Sequence, residues 1–266
     1  MRFIRTNGAT LHIDHRPAAE GMPTIAFSNS LGTDFRIWDG VVAALPAGLG
    51  VLRVDTRGMG LSPLAPAEKV ATHAADLAGL ADALGLDAIV PCGLSIGGLI
   101  AQKFALDFPD RTRALILCCT GARIGNRHDW EARIATVRAE GIEIIGDATM
   151  ARWFSPAFHA AAPDTVAAMR AMVVRQSVPG YAALCALLRD TDLTAELGAI
   201  TVPTLAIAGG LDQSTPPALL EVVAAGVADG TLRVFDHLAH IPCVEEPETI
   251  AAAIAGFLAE KGLTHG

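Results

Sequence analysis

Charged side chains are scarce in this chain of 266 residues, and long apolar runs are missing from it. Only 18% of the residues are charged and 52% are hydrophobic, a balance typical of a globular protein with a large core. No uninterrupted apolar stretch approaches the roughly 20 residues that a membrane helix needs. The length suits one substantial core with room for an inserted subdomain, and it is too short for several independent domains.

An excess of positive charge is absent as well. The formal net charge of -8 gives no reason to expect nucleic acid or an anionic membrane as a partner. Charges and glycine interrupt residues 1–17 within a few positions, so this stretch lacks the apolar centre of a signal peptide. We therefore expect a cytoplasmic protein, and the sequence leaves its oligomeric state open.

Cysteine pairs with redox or metal-binding spacing are also lacking. The five cysteines are odd in number, form no CxxC pair and lie mostly in apolar runs, which favours buried, reduced thiols. His12 and His15 are three residues apart in a segment typical of a strand, where this spacing puts them on opposite faces. No Cys, Asp or Glu cluster completes a metal site around them.

Apolar segments of strand length alternate with helical patterns along most of the chain. Residues 2–6 and 10–16 flank Asn7-Gly8, the turn signature of a β-hairpin. Further strands, such as residues 24–30 and 49–57, are followed by helical patterns, the first of them over residues 37–45. This spacing predicts an α/β protein with a mostly parallel central sheet flanked by helices.

The alternation fails between residues 123 and 197. This segment has helical patterns, few convincing strands, and eight arginines without a lysine. With nine acidic residues, the segment has a net charge of -1, so the rest of the chain carries a net charge of -7. We interpret residues 123–197 as an inserted helical cap, or lid, on a core formed by residues 1–122 and 198–266. Most of its arginines are expected on solvated helix faces.

One short motif predicts a nucleophile. Gly93-Leu94-Ser95-Ile96-Gly97 matches G-x-S-x-G, and it follows a predicted strand and opens a predicted helix. A serine on such a tight turn has a strained backbone, and side chains at the flanking positions would collide with neighbouring elements. The motif alone could be a plain turn, but this context favours a catalytic Ser95.

A serine hydroxyl needs a base and an acid that orients the base, and the expected chain order is Ser, Asp or Glu, then His. Asp212 follows a late apolar strand, at a position from which a loop could present its carboxylate. His240 lies in a loop beyond the final strand and before a proline. We favour these two over Asp236 and His237, which are closer to the strand end.

The same chemistry requires donors for an oxyanion. The residue after the nucleophile, Ile96, supplies one backbone N–H in this architecture, and a loop after an early strand supplies the other. Residues 29–34 follow such a strand, so Leu31 is the predicted second donor.

Taken together, these residues resemble the α/β-hydrolase superfamily along nearly the whole chain. Within it, the chain resembles 3-oxoadipate enol-lactonases of the β-ketoadipate pathway of aromatic catabolism. Two differences from many relatives are Asn29-Ser30 in place of His-Gly and Ala239 in place of Gly. The segments that carry the superfamily resemblance are DTRGMGLS (55–62), GLSIGG, GGLDQSTP and HIPCVEEPE, and those that carry the subfamily resemblance are NSLGTDFRIWD and the patterns around Trp130, Arg133, Trp153 and Phe154.

The resemblance implies an α/β-hydrolase fold with no cofactor and no metal. It also implies a reaction in which Ser95, deprotonated by His240, attacks the carbonyl of an enol-lactone. The N–H groups of Leu31 and Ile96 would hold the oxyanion, and Asp212 would fix the imidazole tautomer. Water would then release 3-oxoadipate from the acyl-enzyme.

The implied substrate is a small anionic lactone, and its free carboxylate would need a cationic partner when buried. Arg133 is our first choice because it lies one helical turn from Trp130, which gives a joint apolar and cationic face. Arg123 and Arg127 are alternatives, and Trp153 completes the expected substrate contacts.

Two other hypotheses remain open. A general carboxylesterase, a carbon–carbon bond hydrolase or a perhydrolase would use the same triad, and only the cap separates them. A ligand-binding module on the same fold would not need Ser95, Asp212 and His240 together. Epoxide hydrolases and dehalogenases are disfavoured because they need an Asp at the position of Ser95.

Overall fold

One eight-stranded sheet forms the centre of the molecule, which we describe from a computed structural model over residues 1–264. The predicted core segment 198–266 thus ends two residues beyond the described part of the chain. The strand order is β1-β2-β4-β3-β5-β6-β7-β8. The strands are β1 (Arg2–Thr6), β2 (Ala9–Arg16), β3 (Thr24–Ser28), β4 (Gly50–Val54), β5 (Val90–Leu94), β6 (Leu115–Cys118), β7 (Thr204–Gly209) and β8 (Gly230–Phe235).

Helices flank this sheet, and α1 packs against α11 while α2 packs against α3. The helices are α1 (Asp39–Ala44), α2 (Val70–Leu84), α3 (Ile96–Asp107), α4 (Arg127–Glu140), α5 (Gly146–Trp153), α6 (Pro156–Ala161), α7 (Pro163–Val174), α8 (Val178–Asp190), α9 (Pro217–Gly226), α10 (Pro242–Glu245) and α11 (Pro247–Glu260).

The sheet is mostly parallel, as the sequence predicts. Strands β3 to β8 pair in parallel, and only the β1–β2 and β2–β4 ladders are antiparallel. Every residue of β3, β5, β6 and β7 is buried, which explains why these strands are nearly continuous apolar runs. The predicted hairpin is confirmed, with Asn7 (φ 46°) and Gly8 (φ 73°) both left-handed at its turn.

The helix expected over residues 37–45 is shorter than predicted. A 3₁₀ turn over Phe35–Trp38 precedes α1, which begins only at Asp39. The Asp34 side chain accepts the Arg36 N–H at 3.1 Å and starts this turn early. The cap therefore divides residues 37–45, which apolar periodicity predicts as one helix, between a 3₁₀ turn and α1.

Five helices, α4 to α8, lie between β6 and β7, within the segment predicted as the cap. Helix α4 packs on α8, and α5 packs on α7. Asn126 and Ser177 cap the starts of α4 and α8 with their side-chain oxygens. The division of the chain into a core and a separate lid domain stays a prediction.

The motif at residues 55–62 holds this helical segment to the sheet. The buried carboxylate of Asp55 lies 2.8 Å from His12 Nδ1 and accepts the Leu61 N–H at 2.9 Å. The Gly60 N–H then donates to the Gln176 side chain at 2.9 Å. His12 is thus a structural partner of Asp55. Together they hold the loop of residues 55–62, which contacts the helical segment through Gln176.

All five cysteines are free and buried, as predicted. Over residues 1–264, no single helix is both long enough and apolar enough to cross a membrane. The bent pair α7 and α8, which meet at 91°, reaches that length and composition only when the two are taken together.

Candidate active site

Four loops meet at the carboxyl edge of the parallel strands. Ser95 follows β5, Asp212 follows β7, His240 follows β8 and Leu31 follows β3. Because parallel strands end at the same edge, residues far apart in the chain converge there. Ser95, His240 and Leu31 line one cavity, and Asp212 lies behind His240.

Ser95 occupies the sharp turn between β5 and α3. Its φ of 58° and ψ of -119° are strained for a residue with a side chain. Its N–H donates to the Cys118 carbonyl at 3.1 Å, and the Thr120 hydroxyl donates to its carbonyl at 2.6 Å. A Cβ on Gly97 would lie 2.8 Å from the Asn29 carbonyl oxygen, so only glycine lets the loop after β3 approach this turn.

His240 and Asp212 form a buried pair, with Nδ1 of the histidine 2.8 Å from Oδ2 of the carboxylate. The carboxylate also accepts the N–H groups of Ser214 (2.7 Å) and Thr215 (2.9 Å) and the Thr215 hydroxyl (2.7 Å). Burial acts to raise the pKa of Asp212, but His240 and the two donors of Thr215 outweigh it and hold the pKa below its ordinary value. An ionised Asp212 fixes a proton on Nδ1 and leaves Nε2 of His240 as the acceptor.

The alternative residues near β8 lie elsewhere. The imidazole of His237 is exposed, with Nε2 2.8 Å from Glu246 Oε1. Asp236 is exposed as well, and neither residue lines the cavity. Sequence position favours His240 and Asp212, and these are the two residues that the structure pairs.

Of the expected oxyanion donors, Ile96 directly follows Ser95 and Leu31 lines the same cavity as Ser95. Ile96 is the first residue of α3, so its N–H has no acceptor within the helix and carries the positive end of the helix dipole. Leu31 lies in a turn that is closed by the Thr33 N–H and the Thr33 hydroxyl, which donate to the Ser30 carbonyl at 3.1 and 2.8 Å. Leu31 and Ser30 both line the cavity.

The helices between β6 and β7 supply a further part of the cavity lining. Trp130 and Arg133 project from α4 one turn apart, and Trp153 ends α5; all three line the cavity. The Trp130 indole N–H donates to the Ile124 carbonyl at 2.7 Å, which fixes its ring. The three cap residues chosen from the sequence are thus brought together above Ser95.

The two alternative arginines lie outside the cavity. Arg123 is exposed and lies 3.5 Å from Asp192. Arg127, also exposed, pairs with Asp190 at 2.7 Å and with Glu131 at 3.1 Å. Both arginines form ion pairs at the surface, and such pairs contribute little to the stability of the fold.

Arg152 and Tyr181 line the cavity and were missed by sequence reasoning. Arg133 donates to the Tyr181 hydroxyl at 3.5 Å. Burial lowers the pKa of Arg152, and the neighbouring positive charge of Arg133 lowers it further. Burial raises the pKa of Tyr181, so its hydroxyl stays neutral and keeps a proton to donate. The only signals in the sequence are that Arg152 precedes Trp153 and that Tyr181 is the sole tyrosine.

The cavity has a volume of about 230 Å³, and its lining includes the nucleophile, the base, two arginines (Arg133 and Arg152) and one acidic residue, Asp129. Among the described residues, neither Arg133 nor Arg152 forms a salt bridge with a carboxylate. Such a pocket suits a small anionic molecule whose reactive carbonyl reaches Ser95. No group of three or more side chains suited to a metal ion occurs within residues 1–264.

Comparisons with known proteins identify the family of this chain. The sequence model of the alpha/beta hydrolase family matches residues 26–253. 3-Oxoadipate enol-lactonase 2 of Acinetobacter baylyi is 34% identical over 87% of this chain and 87% of its own length. 3-Oxoadipate enol-lactonase 1 of the same organism is 31% identical over 97% and 96%. The crystal structure of the enol-lactonase from Burkholderia xenovorans LB400 superposes with a TM-score of 0.92 at 34% identity, over 97% of this chain and all of the other.

Proposed function

This chain belongs to the alpha/beta hydrolase family and is a serine hydrolase, and we propose that it hydrolyses 3-oxoadipate enol-lactone to 3-oxoadipate. The observation that carries the proposal is that Ser95, His240, Arg133 and Arg152 line the same cavity. A neutral ester would give these two cations no partner, whereas a lactone with a free carboxylate would. The enol-lactonase names of the relatives support the same substrate.

In the proposed reaction, Ser95 Oγ attacks the lactone carbonyl as His240 Nε2 takes its proton. The N–H groups of Leu31 and Ile96 donate to the oxygen that becomes negative. The C–O bond of the ring then breaks, and the leaving enolate takes the proton from His240 and tautomerises to a ketone. This tautomerisation makes ring opening effectively irreversible.

Deacylation repeats the same steps with water. His240 removes a proton from the water that attacks the acyl-enzyme, and it returns this proton to Ser95 Oγ as the new carboxylate leaves. Asp212 stabilises the imidazolium that forms in both half-reactions. Its hydrogen bonds from Ser214 and Thr215 keep the carboxylate fixed while the charge on His240 changes.

The carboxylate of the substrate binds, in this proposal, between the guanidinium groups of Arg133 and Arg152, with the Tyr181 hydroxyl as a further donor. Trp130 and Trp153 cover the ring. Charge-assisted bonds of this kind orient the lactone so that its carbonyl lies over Ser95. The proposal includes the cytoplasmic location and the place in the β-ketoadipate pathway that the sequence leads us to expect.

The test is steady-state kinetics with purified protein, the carboxylated enol-lactone and p-nitrophenyl acetate, for wild type and Ser95→Ala. We expect turnover of the lactone by wild type and a loss on the order of 10⁶-fold in kcat for Ser95→Ala. Turnover of the ester without the lactone would favour a general carboxylesterase. Binding of the lactone without turnover of either compound would favour a ligand-binding module.

A further inference from the structure

The catalytic histidine is hydrogen-bonded directly to the inserted helical segment. The N–H groups of His240 and Ile241 both donate to the Trp153 carbonyl, at 3.1 and 3.2 Å. The rings of Trp153 and His240 lie 5.9 Å apart. The backbone of Arg152 and Trp153, two residues that line the cavity, is therefore joined to the backbone of the proposed base.

Glu245 forms a second bridge between the same two segments. Its Oε1 accepts the Ser155 N–H at 2.8 Å, and its Oε2 accepts the Ala239 N–H at 3.3 Å. Ser155 follows Trp153 by two residues, and Ala239 directly precedes His240. One half-buried carboxylate thus holds the chain on both sides of the contact between Trp153 and His240.

We propose that Glu245 is a positioning residue that keeps residues 152–155 and residues 239–241 in one fixed arrangement, so that the substrate-binding wall and the general base act as a unit. The inference rests on the proposed function for one point, the identity of the substrate. Glu245 lines no part of the cavity, so it acts through the two backbone segments and not on the substrate.

A carboxylate is the group that this position requires. Both oxygens face backbone N–H donors, and a carboxylate can accept on both while an amide cannot. Burial raises the pKa of Glu245 and the donors from Ser155 and Ala239 oppose this rise, so these donors are the groups that keep the charged form in place. Gln at this position would turn an NH₂ group toward one of them and break one of the two bridges.

The adjacent residue offers a matched control. Glu246 also accepts two hydrogen bonds, one from the Thr249 hydroxyl at 2.8 Å and one involving His237 at 2.8 Å. Neither partner lines the cavity. Glu246→Gln therefore makes the same chemical change one residue away and leaves both acceptor oxygens of Glu245 in place.

The experiment compares Glu245→Gln, Glu246→Gln and wild type in two measurements. Kinetics with the carboxylated lactone and with p-nitrophenyl acetate give kcat and KM. Hydrogen exchange detected by mass spectrometry gives the protection of peptides covering residues 150–158 and 236–246. For Glu245→Gln we expect kcat to fall about tenfold with both substrates, as about 1.4 kcal/mol of lost positioning would produce. Exchange should accelerate in these two peptides together and not in β5 or β6.

A second pair of variants isolates the Ser155 end of the bridge. Ser155→Pro deletes the N–H donor, and the Ser155 φ of -64° is one that proline accepts. Ser155→Ala removes the hydroxyl that caps α6 and keeps the N–H. We expect Ser155→Pro to lower kcat further than Ser155→Ala, and to add little to Glu245→Gln in the double variant.

Two results would overturn the inference. One is a Glu245→Gln enzyme with the kcat, the KM and the local exchange of wild type. The other is acceleration of exchange that spreads evenly over the molecule, which would make Glu245 a general stabilising residue. Failure of the proposed function looks different: every variant with an intact triad would then be inactive on the lactone, while exchange would still report the bridge.

Discussion

Arg152 is the residue whose environment is most specific to an anionic ligand. It is half-buried beside a second arginine, and burial and Arg133 both lower its pKa. The proposed reaction adds a second carboxylate to a substrate that already has one. The ring-opened product is therefore a dicarboxylate, and it keeps the group that Arg133 and Arg152 are proposed to bind.

We accordingly expect small dicarboxylates such as adipate to inhibit competitively. Arg152→Gln should raise the inhibition constant by about 10-fold to 100-fold, since a hydrogen bond to a charged group contributes about 1.5–3 kcal/mol. Arg127→Gln is the control, because Arg127 lies on the same helical segment in a surface ion pair with Asp190. Equal inhibition constants for Arg152→Gln and wild type would remove Arg152 from the binding site.

At the same scale, the sequence could indicate Ser95, Asp212 and His240 because each follows a recognisable strand in the chain order that the chemistry requires. Arg152 and Tyr181 could not be chosen in this way. Their convergence depends on how α4, α5 and α8 pack over the sheet, and no local pattern records that packing. Glu245 shares this difficulty because its two donors come from residues 6 and 90 positions away.

At the scale of elements, the turn from β5 into α3 depends on the absence of a side chain at Gly97. We expect Gly97→Ala to destabilise the protein by about 3 kcal/mol, because a Cβ there overlaps the backbone of Ser28 and Asn29 at the end of β3. Thermal unfolding followed by circular dichroism measures the change.

The control for this variant is Gly256→Ala in α11. Gly256 is also helical, and a Cβ there meets nothing within 4 Å. Alanine should stabilise this exposed helix position by about 0.5–1 kcal/mol, because glycine loses more conformational freedom in a helix. A Gly97→Ala protein as stable as wild type would contradict the steric account of the turn.

The elements themselves were largely predictable, since the hairpin and the buried strands follow directly from turn residues and apolar runs. The start of α1 could not be predicted, because it depends on one hydrogen bond to the Asp34 side chain, and apolar periodicity carries no information about that bond. Helix α4 carries few apolar residues, and its place over the sheet depends on contacts with α8.

For the molecule as a whole, the lowered pKa of His73 in α2 lets us predict how the free energy of unfolding depends on pH. Burial lowers the pKa of His73 from 6.5 to about 4. Between these two values the unfolded chain binds a proton that the folded protein does not, so the free energy of unfolding falls as the pH falls. The total loss between pH 6.5 and about pH 4 is about 3 kcal/mol at about 1.4 kcal/mol per pKa unit.

Urea unfolding at a series of pH values measures this loss. His73→Gln should reduce the slope between pH 6.5 and 4, while His128→Gln, at an exposed position on α4, should leave the slope unchanged. Equal slopes in wild type and His73→Gln would show that other groups cause the acid sensitivity.

The central claim is that this hydrolase selects a small enol-lactone by its free carboxylate. The most direct test is the ratio of kcat/KM for the carboxylated enol-lactone to that for a neutral enol-lactone with methyl in place of the carboxymethyl group. We predict a ratio of about 10² or more in wild type, as one or two charge-assisted bonds would give. The ratio should fall steeply in Arg133→Ala. A ratio near one in the wild-type protein would contradict the account.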